Sequence, residues 1–348
     1  MTKKVLITGG TGFLGVYLAR YFLKKKFDVV LLDIEPLTDE KLKKNTRVVV
    51  VECDVRDKRS LLKHFSDVDY VVHAAAALPI HQDAKYIWSV NVDGTRNVMD
   101  AALKKRVKKV VFISSTATYG MPERVPETEG DPLHPIGVYG ETKVAGEKIC
   151  MEYYKKGLSV NVIRPKTFLG PERLGVFTIW FEAIYNNKPI FILGDGNNLY
   201  QLLDVEDLCG LIHAALVKRV SGEIFNAGAK DFGSWRNDLN ALIKEAGSKS
   251  KIVSLPVLPS QLILSLLERL HLSPIVEWHY RTFPINSFVS IKLSRKKLGF
   301  RPTKSNTDIL IETYLWYKKN HDKISSTSGT THRKVWNFKL IDIISRFV

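Results

Sequence analysis

The segment Thr8-Gly9-Gly10-Thr11-Gly12-Phe13-Leu14-Gly15 directly follows a short β-branched run and directly precedes a helical pattern. Its glycines give the spacing GxxGxxG. In a strand–turn–helix unit such glycines permit a tight turn, the close approach of a pyrophosphate and the packing of the helix against the strand, while N–H groups at the start of the helix bind phosphate. The segment therefore predicts a dinucleotide-binding turn in which Gly9, Gly12, Phe13, Leu14 and Gly15 contact the ligand.

Short apolar runs alternate with helical patterns on both sides of this turn, across the first half of the chain. The runs are apolar almost throughout, as expected for strands that helices cover on both faces. Predicted strands span 4–8, 28–32, 47–53, 70–73, 109–113 and 159–164, and predicted helices span 13–26, 60–64, 86–106 and 138–156. The pattern predicts an α/β fold with a Rossmann-type doubly wound parallel sheet, whose ligand lies at the carboxyl ends of the strands.

The pattern becomes less regular after Gly170-Pro171, with predicted helices at 177–186 and 205–218 and short strands at 190–193, 223–226 and 251–255. We expect a Rossmann domain at 1–170, a smaller, interleaved substrate-binding region at 171–322, and a linker with a C-terminal amphipathic helix at 323–348. The apolar residues of that helix are Trp336, Leu340, Ile343, Ile344 and Phe347. It can dock on the core or on a second subunit, and contact with a membrane is the alternative.

The chain of 348 residues has a formal net charge of +16. A positive field would attract anionic ligands such as nucleotide sugars or dinucleotides, and could attract membranes or nucleic acid. The alternative, which we prefer, is that lysine simply dominates the solvated surface. Its basic residues are spread along the sequence without interleaved aromatic residues, which argues against nucleic-acid binding. No apolar run reaches the ~18 residues of a membrane span, and no secretory signal precedes the first strand. The three cysteines form no CxxC pair. We expect a cytoplasmic protein without a metal site.

Further strand ends carry residues that suit the rest of a dinucleotide. Asp33 ends the second predicted strand, 18 residues after Gly15, where a carboxylate accepts hydrogen bonds from the adenosine ribose and repels a 2′-phosphate. This position favours NAD over NADP. Asp54, followed by Val55, ends the third strand and either binds the adenine amino group or caps a helix. The small residues Ala74, Ala75 and Ala76 after the fourth strand let the cofactor lie close.

Tyr139 and Lys143 are spaced one turn apart on a predicted helix, so that they share one face. A nearby ammonium group lowers the pKa of a phenol toward working pH, and the same lysine can hold the nicotinamide ribose. The fifth strand runs into Ser114-Ser115-Thr116, whose hydroxyls can bind a substrate carbonyl or alcohol. Together with the glycine turn, these residues predict redox chemistry at an alcohol carbon.

This set of motifs resembles the extended short-chain dehydrogenase/reductases, the NAD-dependent epimerase/dehydratase family. The matching pieces are TGGTGFLG at 8–15, CDV at 53–55, HAAA at 73–76, NVDGT at 91–95, SSTATYG at 114–120, YGETK at 139–143, RP at 164–165, GDG at 194–196 and VEDL at 205–208. The resemblance covers roughly residues 3–320 and implies that Ser115, Tyr139 and Lys143 are catalytic. It also implies that Asn91 supports the lysine and contacts the cofactor, that Ser114 and Pro165 lie beside the cofactor, and that a homodimer forms through 86–106 and the helix of Tyr139.

Within that family the residues favour an epimerase. Dehydratases carry an Asp-Glu pair just after the catalytic hydroxyl, whereas this chain has Thr116 and Ala117. A nucleotide-sugar 4-epimerase, such as a UDP-glucose 4-epimerase, needs only the serine, the tyrosine, the lysine and a retained NAD, and it works through a transient keto intermediate. The alternative is an NAD-dependent dehydrogenase of the hydroxysteroid or β-hydroxyacid type. Its pocket would be lined by Phe168, Phe177, Trp180, Phe181 and the stretch 262–272.

Two positions depart from the sugar-nucleotide pattern. Thr167 stands where an asparagine is usual, and Tyr200 stands where an arginine often clamps the diphosphate. Lys166, Arg173 or Arg281 could supply the missing cation, or each could be an ordinary surface charge. We expect the substrate to contact Ser115, Thr116, Thr167, Tyr200 and Arg281.

Overall fold

The computed structural model describes residues 2–78, 83–173, 175–270, 272 and 275–324. Its strands are β1 (Lys4–Thr8), β2 (Asp28–Asp33), β3 (Val48–Glu52), β4 (Tyr70–His73), β5 (Lys109–Ile113), β6 (Val160–Pro165), β7 (Phe168–Leu169), β8 (Ile190–Leu193), β9 (Leu203–Asp204), β10 (Ile224–Ala227) and β11 (Ile252–Leu255). Most of the predicted C-terminal helix lies outside the described residues.

Helices lie between and after these strands, and some of them cover the two faces of the main sheet. They are α1 (Phe13–Lys24), α2 (Glu40–Lys43), α3 (Lys58–His64), α4 (Ala84–Trp88), α5 (Gly94–Lys104), α6 (Gly137–Lys155), α7 (Thr178–Tyr185), α8 (Val205–Val217), α9 (Trp235–Ala246), α10 (Val257–Arg269), α11 (Glu277–Thr282), α12 (Lys292–Leu298) and α13 (Asn306–Ile324).

Within the described residues, seven parallel strands form the main sheet in the order β10-β6-β5-β4-β1-β2-β3. The chain moves outward from β1 to β3 and then returns to place β4 on the other side of β1. This reversal opens a crevice at the carboxyl ends of β1 and β4, where an open α/β sheet binds its ligand. The predicted doubly wound Rossmann-type fold is confirmed.

Two apolar clusters hold the helices on the sheet. On one face, Phe22 of α1 and Leu208 of α8 pack with Val5 and Ile7 of β1, and all four side chains are almost fully buried. On the other face, Val98 and its neighbours on α5 pack with residues of α3 and α6. Burial on both faces explains why the strands read as continuous apolar runs.

The helix predicted at 86–106 runs from α4 through a π-helical turn at Ser89–Asp93 into α5. A π turn inserts an extra residue into the helical repeat and redirects the side chains around it. Here it buries Asn91, which bonds to the segment that follows β4. The helix predicted at 86–106 is therefore present at 84–104, and the sequence pattern did not reveal the π-helical turn inside it.

The chain beyond residue 170 is interleaved with the first half. Strand β10 pairs with β6, and α8 packs against α1, so both belong to the layers of the main sheet. The remaining strands form two small parallel pairs, β8 with β11 and β7 with β9, next to a third apolar cluster. The division at 170 and 322 stays a prediction. Within the described ranges, no helix combines the length and the apolarity needed to cross a bilayer.

Candidate active site

The glycine turn connects β1 to α1 at the crevice. Gly9 has a φ of 68°, and a Cβ atom there would lie 2.9 Å from the backbone of Ala75. Gly12 caps α1, and the first turn of that helix has no side-chain cap and no acidic residue. The turn thus presents free N–H groups at a helix N-terminus, a cradle that fits a pyrophosphate. Gly15 packs against the carbonyls of Gly9 and Gly10 and is not part of the cavity wall, so its role is packing rather than ligand contact.

Asp33 lies at the end of β2, beside the glycine turn. Its Oδ2 accepts the N–H of Thr11 at 3.0 Å, and its Oδ1 accepts the N–H of Ile34 at 2.8 Å. These bonds fix the carboxylate at the cavity wall, where the ribose of a dinucleotide would lie.

Asp54 also lines the cavity, and it forms an ion pair with Arg56 at 2.6 Å. The hydrogen bond from Arg56 lowers the pKa of the Asp54 carboxyl. The residue that caps the next helix, α3, is Asp57 and not Asp54, so the helix-cap alternative for Asp54 is wrong.

A cavity of about 1620 Å³ extends from the glycine turn into the second half of the chain. A single small-ligand pocket has a volume of roughly 300–1,000 Å³, so this cavity has room for a dinucleotide and a second molecule. Of the predicted site residues, the following lie in its wall: Gly9, Gly12, Phe13, Leu14, Asp33, Asp54, Val55, Ala74, Ala75, Ala76, Ser114, Ser115, Thr116, Tyr139, Lys143, Pro165, Thr167 and Tyr200.

Ser115, Tyr139 and Lys143 meet in the wall of this cavity. Ser115 follows β5 and caps a short 3₁₀ turn, with its Oγ accepting the N–H of Ala117 at 3.1 Å. Tyr139 and Lys143 lie one turn apart on α6, and the lysine Nζ is 5.7 Å from the centroid of the tyrosine ring. Lys143 Nζ donates to the carbonyl of Ile113 at 2.9 Å, which anchors the lysine to the end of β5.

The pKa of Tyr139 is raised, whereas the sequence predicted that it is lowered. Burial raises it to about 12, while the charge of Arg173 and a hydrogen bond with Ser115 act in the opposite direction. Burial also lowers the pKa of Lys143 to about 8. The cation that opposes burial is thus the guanidinium of Arg173 and not the expected ammonium of Lys143, and desolvation of the phenolate is the larger effect.

Asn91 does not line the cavity. Its side chain accepts the N–H of Ala77 at 2.7 Å, and its Nδ2 donates to the Ala77 carbonyl at 3.1 Å and to Thr142 Oγ1 at 3.0 Å. Asn91 thus ties the segment after β4 to α6 and does not contact Lys143 through these bonds. The prediction that it contacts the cofactor is corrected: it is a buried positioning residue.

Arg173 lies in the cavity wall with its guanidinium carbon 5.3 Å from the ring centroid of Phe13 and 5.0 Å from that of Phe168. The residue is 8% exposed, and its Nε and Nη1 have no hydrogen-bond partner among the residues that the structure describes. Burial lowers its pKa to about 9, and the charge of Tyr139 opposes this shift. Buried guanidinium nitrogens without hydrogen-bond partners are costly, so this geometry suits an anionic group of a ligand.

The other two candidate cations are already engaged. Arg281 is half-exposed, pairs with Glu277 at 2.9 Å and does not line the cavity. Its predicted contact with the substrate is therefore wrong. Lys166 lines the cavity but donates to Ser287 Oγ at 2.7 Å and lies 4.6 Å from the centroid of the Tyr200 ring. Arg173 is thus the cation of the three with unused donors.

An aromatic wall stands at Tyr200, the position where the resemblance to sugar-nucleotide enzymes implied an arginine. Tyr200 stacks on Trp235 with ring centroids 4.5 Å apart, and Trp235 stacks on Phe283 at 4.9 Å. Trp180 meets Trp235 edge-on at 5.1 Å. The Tyr200 hydroxyl lies 3.3 Å from Thr167 Oγ1. This wall offers flat apolar surfaces to a base or to the apolar face of a sugar.

Some residues of the predicted apolar pocket do not line the cavity. Phe181 is fully buried in the third core cluster and does not line the cavity. In the stretch 262–272, Leu264 lines the cavity while Leu262 and Leu266 face outward. Sequence reasoning also missed His279 of α11, a cavity residue whose pKa burial lowers to about 4. No motif in the sequence marks α11, so nothing could have located this histidine.

The dinucleotide turn, Asp33 and the serine–tyrosine–lysine group together define an NAD-dependent enzyme of the Rossmann class. Residues 5–228 match the NAD dependent epimerase/dehydratase family, which is well over half of the chain. The protein belongs to this family. The cradle at Gly9 and the placement of Asp33 fit NAD, the cofactor of the family.

The chain is also similar to individual known proteins. The chain is 33% identical over 335 residues to the uncharacterized protein y4nG of Sinorhizobium fredii. The alignment covers 96% of this chain and 83% of that protein. The chain is 29% identical over 354 aligned positions to a UDP-glucose 4-epimerase of Lactobacillus helveticus, covering 92% and 98% of the two chains. The crystal structure of UDP-glucuronic acid 4-epimerase from Bacillus cereus with NAD has the same fold, with a TM-score of 0.76, 24% identity and coverage of 91% and 99%.

Proposed function

We propose that the protein is an NAD-dependent 4-epimerase of a nucleotide sugar. The main support for this proposal is that Ser115, Tyr139 and Lys143 line the same cavity as the glycine turn. Thr116 and Ala117 lie beside Ser115 in the cavity wall, so the positions that would hold the acidic pair of a dehydratase have no acid. The names of the Lactobacillus and Bacillus relatives, both 4-epimerases of UDP sugars, support the same reaction.

Each residue of the group has a separate task in such a reaction. When bound, NAD would act as the reversible acceptor of a hydride from the sugar carbon. Tyr139 Oη takes the proton of the sugar hydroxyl and later returns it, and Ser115 Oγ hydrogen-bonds the same sugar oxygen. Lys143, anchored on the Ile113 carbonyl, supplies positive charge that stabilises the phenolate as it forms.

Epimerisation also requires the oxidised sugar to turn in place before it is reduced on its other face. A cavity of about 1620 Å³ leaves room for this motion. The stacked rings of Tyr200 and Trp235 are well suited to it, because an aromatic face holds a sugar without fixing its hydroxyls in one orientation. Arg173 would hold an anionic group of the same substrate, since its Nε and Nη1 are unused.

The direct test is to incubate the purified protein with UDP-glucose and no added cofactor. We expect UDP-galactose to accumulate to equilibrium, and NAD to be released when the protein is denatured. A parallel thermal-shift screen of other nucleotide sugars identifies the preferred substrate, because ligands of the native state raise its stability. If no nucleotide sugar is epimerised and none raises the melting temperature, the proposal is wrong.

A second candidate is a dehydrogenase of a hydrophobic alcohol, of the hydroxysteroid or β-hydroxyacid type. It is favoured by the aromatic wall of Trp180, Tyr200, Trp235 and Phe283, which stands where a diphosphate clamp is expected. This enzyme would need added NAD and would produce NADH in proportion to the alcohol oxidised. Net NADH formation from a hydroxysteroid, without turnover of any nucleotide sugar, would establish it.

We also propose a cytoplasmic homodimer. The cysteines Cys53, Cys150 and Cys209 are free and buried, which suits a reducing compartment. The dimer follows from the family resemblance and would use the outer faces of α5 and α6, where Arg96 and Glu152 form an exposed ion pair across the two helices. Light scattering of the purified protein measures its mass, and a monomer would contradict the dimer.

A further inference from the structure

The outer face of α10 and of the turn after it carries a stripe of apolar side chains. Leu258, Leu262, Leu266 and Leu270 follow at four-residue intervals and are 73%, 74%, 58% and 56% exposed. Ile263 and Leu272 adjoin them at 59% and 57% exposure. We call these six residues the leucine stripe. Scattered exposed leucines are ordinary on proteins, but a contiguous group marks an interaction surface.

Polar contacts on the opposite face fix the orientation of this helix. Gln261 Nε2 donates to the Tyr280 carbonyl at 3.0 Å. Glu268 accepts the N–H of Glu277 at 3.1 Å and the hydroxyl of Tyr280 at 2.9 Å. Leu264 and Ser265 on the same inner face line the active-site cavity. Because the inner face is committed to α11 and to the cavity, the leucines are held outward.

The charge of the whole chain indicates what covers the stripe. On α10 itself, Glu268 accepts hydrogen bonds from α11, and Arg269 is exposed and also lines the cavity. The whole chain has a formal net charge of +16. A short helix with an apolar outer face on a strongly basic protein is suited to an anionic lipid surface, which attracts the protein and accepts the leucines.

A second copy of the chain fits this stripe less well. A second copy would bring together two chains that each have a formal net charge of +16, and these like charges repel. An anionic lipid surface attracts the same charge and accommodates each apolar side chain separately.

We propose that the leucine stripe docks on an anionic lipid bilayer, with α10 lying in the plane of the surface. The inner face of the same helix lines the active-site cavity, so docking places part of the cavity wall next to the membrane. The docking goes beyond the epimerase reaction and does not depend on which substrate the cavity binds.

Flotation of the full-length protein with lipid vesicles tests the proposal. We expect binding to vesicles of phosphatidylcholine and phosphatidylglycerol in equal parts, and little binding to phosphatidylcholine alone. The double variant Leu262→Glu/Leu266→Glu should lose vesicle binding by roughly tenfold or more, because two charges must then be desolvated. Leu315→Glu on α13, also at an exposed leucine (47%), is the matched control and should bind like the original protein.

Thermal unfolding and NAD content, measured on both variants, separate a lost contact from a misfolded protein. Failure of the original protein to float with the anionic vesicles overturns the proposal. So does a double variant that binds as well as the original protein, since another part of the chain, such as 325–348, would then be responsible. Dissociation of a self-associated species by the double substitution, without vesicle binding, overturns it in favour of a second copy.

Discussion

The guanidinium of Arg173 and the phenol of Tyr139 lie close enough in the cavity wall for their charges to interact. Burial raises the pKa of Tyr139 to about 12, and Arg173 is the cation that opposes this rise. The same arginine keeps two nitrogens without hydrogen-bond partners. We therefore propose that Arg173 both binds an anionic group of the substrate and favours ionisation of Tyr139, the tyrosine to which we assign proton transfer.

Replacing Arg173 by methionine should weaken nucleotide-sugar binding by roughly 10- to 100-fold, since a hydrogen bond to a charged group contributes about 1.5–3 kcal/mol. The ligand-free variant should unfold at the same or a higher temperature, because an unpaired buried charge is removed. Calorimetric titration and thermal unfolding measure the two effects. Arg281→Met, which removes a half-exposed arginine paired with Glu277, is the matched control and should change neither. Unchanged affinity in Arg173→Met would show that the arginine is not a ligand of the substrate.

Replacing Tyr139 by phenylalanine should abolish turnover while NAD stays bound, because the substitution removes the proton acceptor and leaves the glycine turn intact. General acid–base catalysis typically contributes 10²- to 10⁴-fold, so we expect a loss of at least about that size. Tyr154→Phe, at the exposed end of the same helix, is the control. Turnover by Tyr139→Phe at the original rate would refute the catalytic role.

The cofactor half of the site could be predicted from sequence because its residues follow strands directly. Gly9, Asp33 and Ala75 each stand at the end of a buried apolar run, and parallel strands bring their carboxyl ends to one edge. Tyr139 and Lys143 follow the same logic, since a fixed helical spacing joins them.

The substrate half could not be predicted in this way. Trp235 and Phe283 lie 48 positions apart in the chain and meet only through the packing of α9 against the segment after α11. Arg173 and Arg281 look equivalent in the sequence, yet one is buried in the cavity wall and the other is paired outside it. Long-range packing decided both cases, and no local pattern encodes it.

The pH dependence of stability should report the burial of Lys143. Burial lowers the pKa of this lysine to about 8, from 10.5 for the free side chain. Between about pH 8 and pH 10 the unfolded chain therefore binds more protons at this position than the folded chain, so this lysine makes the free energy of unfolding rise with pH. Below about pH 8 both states are protonated, and the cost of the buried charge is constant.

Lys143→Met should remove that contribution and reduce the slope of the free energy of unfolding against pH in this window. Urea unfolding of the ligand-free protein at several pH values measures the slope. Lys148→Met, at an exposed position of the same helix, should leave it unchanged. Identical slopes for the original protein and Lys143→Met would show that folding does not lower the pKa of Lys143.

Asp33→Asn should relax the preference for NAD over NADP, because the neutral side chain no longer repels a 2′-phosphate. The amide oxygen can still accept the N–H of Thr11, so the glycine turn should keep its shape. We expect NADP to bind roughly tenfold more tightly relative to NAD, as judged by fluorescence titration of the two reduced cofactors. Asp54→Asn is the matched control: its carboxylate is engaged by Arg56, and its substitution should leave the ratio unchanged. An unaltered ratio in Asp33→Asn would mean that the discrimination arises elsewhere in the adenosine end of the cavity.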